Sequence, residues 1–229
     1  DESIFSKGAL MGTKPGKQII KQGLFKSKGF KLFNQYKQEA EDTFPAFAQR
    51  FAKNLFDQIN ADQSPNTTQQ QFAEEVGSTE IILNASEIEP IKSKLQDFDT
   101  LHDRVLRILN SNFVKMTFPV FNGLFDASTD YFKDDKSTTM REDIVDGHII
   151  AIDLSEPMDR IVDKDEDLEY LDDYKLMNPY ILKLAREKIS KGGEDVVKEF
   201  EEGFKQARIG QYLDTKLKDK PTEITEEEL

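Results

Sequence analysis

Between Ile91 and Met116 the apolar residues recur at alternating steps of four and three, and no other stretch constrains the fold as tightly. Ile91, Leu95, Phe98, His102, Val105, Leu109, Asn112 and Met116 share one side of a helix, and Leu101, Ile108 and Phe113 widen the stripe. A face this broad must be buried, so the pattern predicts a central core helix near 86–118. Ser86 and Glu89 are spaced as a capping box, Pro90 suits a first turn, and Pro119 closes the helix. His102 and Asn112, on the buried side, read as hydrogen-bonded core groups.

Other segments extend the helical reading. Ala40, Phe44, Phe47, Phe51, Leu55 and Ile59 share a face and predict a helix over 36–60, with Pro45 marking its start or a kink. Asn178-Pro179 reads as an N-cap and first-turn proline opening a helix to Ser190, and a further helix is expected over 194–218. Residues 71–76 suit a short helical turn and 80–84 a short strand. In Ile144-Val145-Asp146-Gly147-His148-Ile149-Ile150, the Asp-Gly pair flanked by β-branched residues predicts a small β-hairpin near 142–154. Residues 153–174 read as an acidic connector. The expected fold is therefore mainly α: an extended basic arm (1–35), one helical domain (36–220) and an acidic tail (221–229).

Charge divides the chain. Residues 1–37 carry eight lysines against two acids, whereas 38–125 have a net charge of −6 and 126–229 of −13. A basic front on an acidic body points to an arm that meets an anionic surface or folds back on its own body. The arm also carries Phe25, Phe30 and Phe33 among five glycines, too apolar for a free tail and too glycine-rich for a long helix. Lys21, Phe25, Lys26, Lys28, Phe30, Lys31 and Phe33 are thus the candidate partner-binding residues. Their partner is a neighbouring protein, or an anionic surface such as a membrane or RNA.

Chemical motifs fail on inspection. Gly12-Thr13-Lys14-Pro15-Gly16-Lys17 has its glycines one residue too close for a phosphate-binding loop, and Gln18 replaces the magnesium-binding hydroxyl. Asp163-Lys164-Asp165-Glu166-Asp167 opens like a calcium loop, but Leu168 stands at the glycine position and Tyr174 at the bidentate glutamate. Asp146, His148 and Asp153 suggest a small metal site, although on a strand 148 and 153 point to opposite faces. No cysteine is present, and two histidines 46 positions apart support no hydrolytic triad. Asn66-Thr67-Thr68 and Asn84-Ala85-Ser86 match a glycosylation sequon, a pattern common by chance.

No catalytic residue, metal or cofactor is therefore expected, nor a small-molecule substrate. The expected role is a non-catalytic structural or accessory subunit docked among other proteins of a large assembly. Twenty-four lysines against seven arginines, with frequent Asn, Gln and Phe, resemble the bias of AT-rich coding. Together with an Asp1 start that reads as trimmed, this favours a mitochondrial complex, a virion structural protein being the alternative and an RNA-associated subunit using 7–37 the next.

Overall fold

One helix, Leu171–Ile189, carries the largest block of wholly buried side chains, including Leu176, Met177, Asn178, Ile181, Ala185 and Ile189. The computed structural model describes residues 28–79, 81–109, 112–132, 138–162 and 170–219. In chain order these form α1 (Lys28–Ala61), α2 (Pro65–Val76), α3 (Ala85–Leu95), α4 (Phe98–Leu109), α5 (Asn112–Phe132), α6 (Thr138–Val162), α7 (Leu171–Ile189), a 3-10 turn (Ser190–Gly192) and α8 (Glu194–Asp219). Among the described residues there is no strand, so the chain is mainly α. None of these helices is long and apolar enough to cross a membrane.

The centre of the fold differs from the expected one. α7 contacts α1, α2, α3, α6 and α8, whereas the predicted helix near 86–118 is three separate helices, α3 to α5. The first break is made by Asp97, whose carboxylate accepts hydrogen bonds from the Thr100 amide (3.0 Å) and hydroxyl (2.6 Å) and so starts a new helix. Those two bonds hold the Asp97 carboxyl below its ordinary pKa. As far as Leu109 the stripe is placed as expected: Leu95, Leu101, Val105, Ile108 and Leu109 are buried and Ile91, Phe98 and His102 half-buried, while the side chains of Asn112, Phe113 and Met116 lie outside those described. The N-terminal cap lies two residues earlier than predicted, where Glu87 accepts from the Asn84 backbone amide at 2.9 Å. Pro119 lies inside α5 and does not end the run.

The expected hairpin near 142–154 is likewise helical, within α6. Gly147 is there for close packing. A Cβ at that position would sit 2.7 Å from Ile189 Cγ1 and 3.1 Å from the Ala185 carbonyl oxygen of α7. Its β-branched neighbours gain more from burial between helices than strand propensity offers. Residues 81–84 form a turn instead of a strand, with Ile81 and Leu83 buried as plugs. The acidic connector is also partly helical, since α6 runs to Val162 and α7 begins at Leu171, seven residues before the predicted Asn178-Pro179 start.

α1 carries the predicted face: Phe47, Ala48, Phe51, Ala52, Leu55 and Ile59 are buried. Phe44 and Phe47 meet Phe118 of α5 at centroid distances of 6.2 and 5.6 Å, and Phe56 meets Phe98 of α4 edge-on at 5.5 Å. Pro45 is accommodated on the exposed side. The helix begins at Lys28, inside the expected extended arm, and the supposed boundary at 35/36 falls within it. No glycine occurs between Phe30 and Ala61, and the helix continues through Pro45 to Lys28.

Candidate functional site

The candidate partner-binding residues divide in two. Lys21, Phe25 and Lys26 lie outside the described residues, whereas Lys28, Phe30, Lys31 and Phe33 belong to the first two turns of α1. Helical spacing sets these four at a different register from an extended arm, in which alternate residues would share a face.

Where α1, α6 and α7 meet, a cleft of about 520 Å³ opens to solvent. α1 contributes Asn54, Asp57 and Gln58, α6 contributes Asp143, and α7 contributes Leu184, Glu187 and Lys188, with Ser190 and Lys191 following. Lys188 Nζ lies 3.2 Å from Asp143 and 3.6 Å from Asp146, which Arg50 of α1 also approaches at 3.4 Å. Burial pushes the Asp146 carboxyl above its ordinary pKa, and the two cations offset this only in part. Gly147 makes this geometry, because it lets α6 close on α7 next to Asp146. The cleft is lined by polar and apolar groups alike, with Lys188 paired to Asp143 and Gln58 Nε2 donating to Glu187 at 2.8 Å. Its one hydroxyl, Ser190 Oγ, donates to the Glu187 carbonyl oxygen at 2.8 Å, so no nucleophile faces a base there.

Of the Asp146, His148 and Asp153 metal reading, the Asp153 side chain lies outside those described, and Asp146 and His148 are each engaged elsewhere. His148 Nδ1 pairs with the Ile144 carbonyl oxygen at 2.7 Å, and its ring lies between Phe121 and Phe200 at 5.7 and 6.0 Å. Among the described residues no three His, Asp or Glu side chains converge as a metal would need. His102 stacks on Phe98 at 5.9 Å and is half-buried, close to its expected core role.

Two further polar knots, the first buried and the second half-buried, were not anticipated. Asp173 of α7 accepts from Arg104 Nε at 2.7 Å and from Lys94 Nζ at 2.7 and 2.9 Å, joining α7 to α4 and α3. The Tyr170 ring lies over the Arg104 guanidinium at 3.3 Å, with Lys94 and Arg107 near 5 Å. Tyr170 takes a positive φ of 67°, a strained backbone for a bulky residue that this stack helps to hold. Burial lifts the neighbouring Tyr174 hydroxyl to about 12. The second knot centres on Asp62, between α1 and α2, which accepts from Thr68 Oγ1 (2.6 Å), the Ser64 amide (2.7 Å) and the Tyr180 hydroxyl (2.8 Å). Burial raises the Asp62 pKa, but these bonds outweigh it and leave the group lowered. Arg104 was legible in principle: it sits inside the apolar stripe beside Leu101 and Val105, where a cation implies a buried acid.

The outward face of α5 is of a different kind. Val120 and Leu124 are 41% and 61% exposed, Ala127 is exposed, and Gly123 lies between them. No charged residue occurs between Lys115 and Asp126, in a chain that is 33% charged. The opposite side of the helix is anchored by Phe118, by Phe121 against His148, and by the Arg141–Asp126 ion pair at 2.7 Å. The chain matches no family model, and neither the curated proteins nor the solved structures contain one detectably similar to it.

Proposed function

We propose that the protein is a non-catalytic structural or accessory subunit, held among other proteins of a large assembly. The observation that carries this reading is the uncharged outward face of α5. Exposed Val120 and Leu124 are one turn apart and flanked by the small residues Gly123 and Ala127, a surface that another helix can approach closely. Burying two such side chains is worth about 1.5–3 kcal/mol each, enough to matter at an interface. The Asp173 and Asp62 knots favour the same reading, because they tie helices to one another. Composition places the assembly in a mitochondrion in the first instance, by the AT-rich bias, with a virion as the alternative compartment.

Size exclusion and native mass spectrometry of the endogenous protein test this reading. Co-migration with a much larger particle is expected, and a free 26.3 kDa monomer would overturn it. Leu124→Glu should leave the isolated protein's stability within about 0.5 kcal/mol, as surface substitutions do, yet release it from the particle. The charge of residues 1–37 favours a second reading, attachment to RNA. Steeply salt-dependent RNA binding, lost when Lys21, Lys26, Lys28 and Lys31 are replaced by glutamate, would support it.

A further inference from the structure

α6 and α7 each carry a buried proline in their interior, Pro157 and Pro179. Each lacks the amide that would bond the carbonyl four residues earlier, so the carbonyls of Asp153 and Lys175 lose their helical donors. The Lys175 carbonyl is repaired from outside the helix. Gln69 Nε2 of α2 donates to it at 3.1 Å and to the Leu176 carbonyl at 3.3 Å. One residue before Pro179, Asn178 is wholly buried, and neither its Oδ1 nor its Nδ2 has a hydrogen-bond partner. A primary amide stripped of water and left unpaired is among the costliest things a core can contain.

The packing of the two helices shows what Asn178 faces. They run antiparallel, with Gly147 against Ala185 and Ile189, and Ile144 against Gly192. Ala185 is two turns along from Asn178 and therefore on the same face, the one turned to α6. Ten residues along α6 from Gly147, roughly 15 Å of helix, lies Pro157. The same distance back along α7 from Glu187 leads to Met177 and Asn178. Helical register thus sets Asn178 opposite the stretch of α6 in which Pro157 withholds a donor from the Asp153 carbonyl.

We propose that Asn178 anchors an internal hydration site between α6 and α7. Bound water donates to Asn178 Oδ1 and to the Asp153 carbonyl, and accepts from Asn178 Nδ2. Water matches this set because it both donates and accepts. An anion would leave Oδ1 unpaired, and a metal cation would leave Nδ2 unpaired. The site is separate from the cleft beside Lys188 and does not depend on the assembly reading.

The sign of the change in Asn178→Leu is the test. Leucine keeps the volume but cannot hold water. If the amide is dry, removing it relieves an unpaired group and Tm rises. If it anchors water, the water leaves, the Asp153 carbonyl is stranded, and Tm falls by roughly 4 °C or more. An unchanged or raised Tm overturns the proposal. In a Pro157→Ala background the restored amide can bond the Asp153 carbonyl, so the same substitution should lower Tm by less than half as much. Equal losses in both backgrounds also overturn it. Should the leucine variant not fold, the unmodified full chain decides. Cross-relaxation between water and the Asn178 side-chain amide protons, with the sign of a long-lived bound molecule, is expected, and its absence sinks the site.

Discussion

Asp173 and Asp146 are buried to nearly the same degree, with 3% and 6% of their side chains exposed, and each faces two cations. Their surroundings nonetheless differ in kind. Asp173 holds Arg104 and Lys94 at 2.7 Å, beneath an aromatic ring and with Arg104 itself only 8% exposed. Asp146 meets Arg50 and Lys188 at 3.4 and 3.6 Å; Arg50 is 48% and Lys188 14% exposed, much as Lys94 is 44% exposed beside the buried Arg104. What separates the two sites is contact length, and 2.7 Å charge-assisted contacts make a structural tie. Contacts of 3.4 and 3.6 Å do not repay burial, and the Asp146 carboxyl accordingly stays above its ordinary pKa. The α3–α4–α7 corner is therefore held by its ionic knot, whereas the α6–α7 side is held by close packing at Gly147 and merely tolerates its acid.

Removing each feature in turn would break or sharpen that contrast. Asp173→Ala leaves the Arg104 guanidinium buried with only Asp103 beside it, and should cost on the order of 3 kcal/mol in urea unfolding. A loss below 1 kcal/mol would show that the knot is not a tie. Gly147→Val forces a side chain into the Ile189 and Ala185 contact, with an expected loss of about 1–3 kcal/mol and no change at the Asp173 corner. Hydrogen exchange along α3 and α4 would check that the damage stays local.

The smallest effect belongs to Asp146→Asn, with less than about 1 kcal/mol near neutral pH, because Lys188 keeps Asp143 and Arg50 keeps water. Its signature is in the pH dependence. The folded pKa of Asp146 is raised above 3.8, so the folded state binds this proton more tightly than the unfolded chain does. Its contribution is fully present below the unfolded value and is lost as pH rises through the folded one. Relative to Asp146→Asn, the unmodified protein should thus lose stability between pH 3.8 and its folded pKa. A gain in stability of the unmodified protein over Asp146→Asn as pH rises would reverse the assignment.

Much of the fold was legible because burial leaves a periodic trace. The α1 face from Phe47 to Ile59 and the α3–α4 stripe needed only the 3.6-residue repeat. The helix over Glu194–Asp219 was read too, to within one residue of its end. Misreadings came where one local signal has two structural uses. Asp146-Gly147 can turn a hairpin or let two helices touch, and Asn178-Pro179 can open a helix or interrupt one. The cleft, the Asp173 knot and the orphaned Asn178 amide left still less trace, since each is assembled from helices remote in sequence.

By itself the sequence determined the helical class, the apolar faces of α1, α3 and α4, and the separation of a basic front from an acidic body, because these depend on spacing and composition within a single segment. Only the tertiary structure decided that α7 is the centre, that Gly147 is a contact surface, and that Arg104 and Asp173 are partners. Those outcomes depend on which faces meet, and the free energy of two faces meeting is written in neither segment alone.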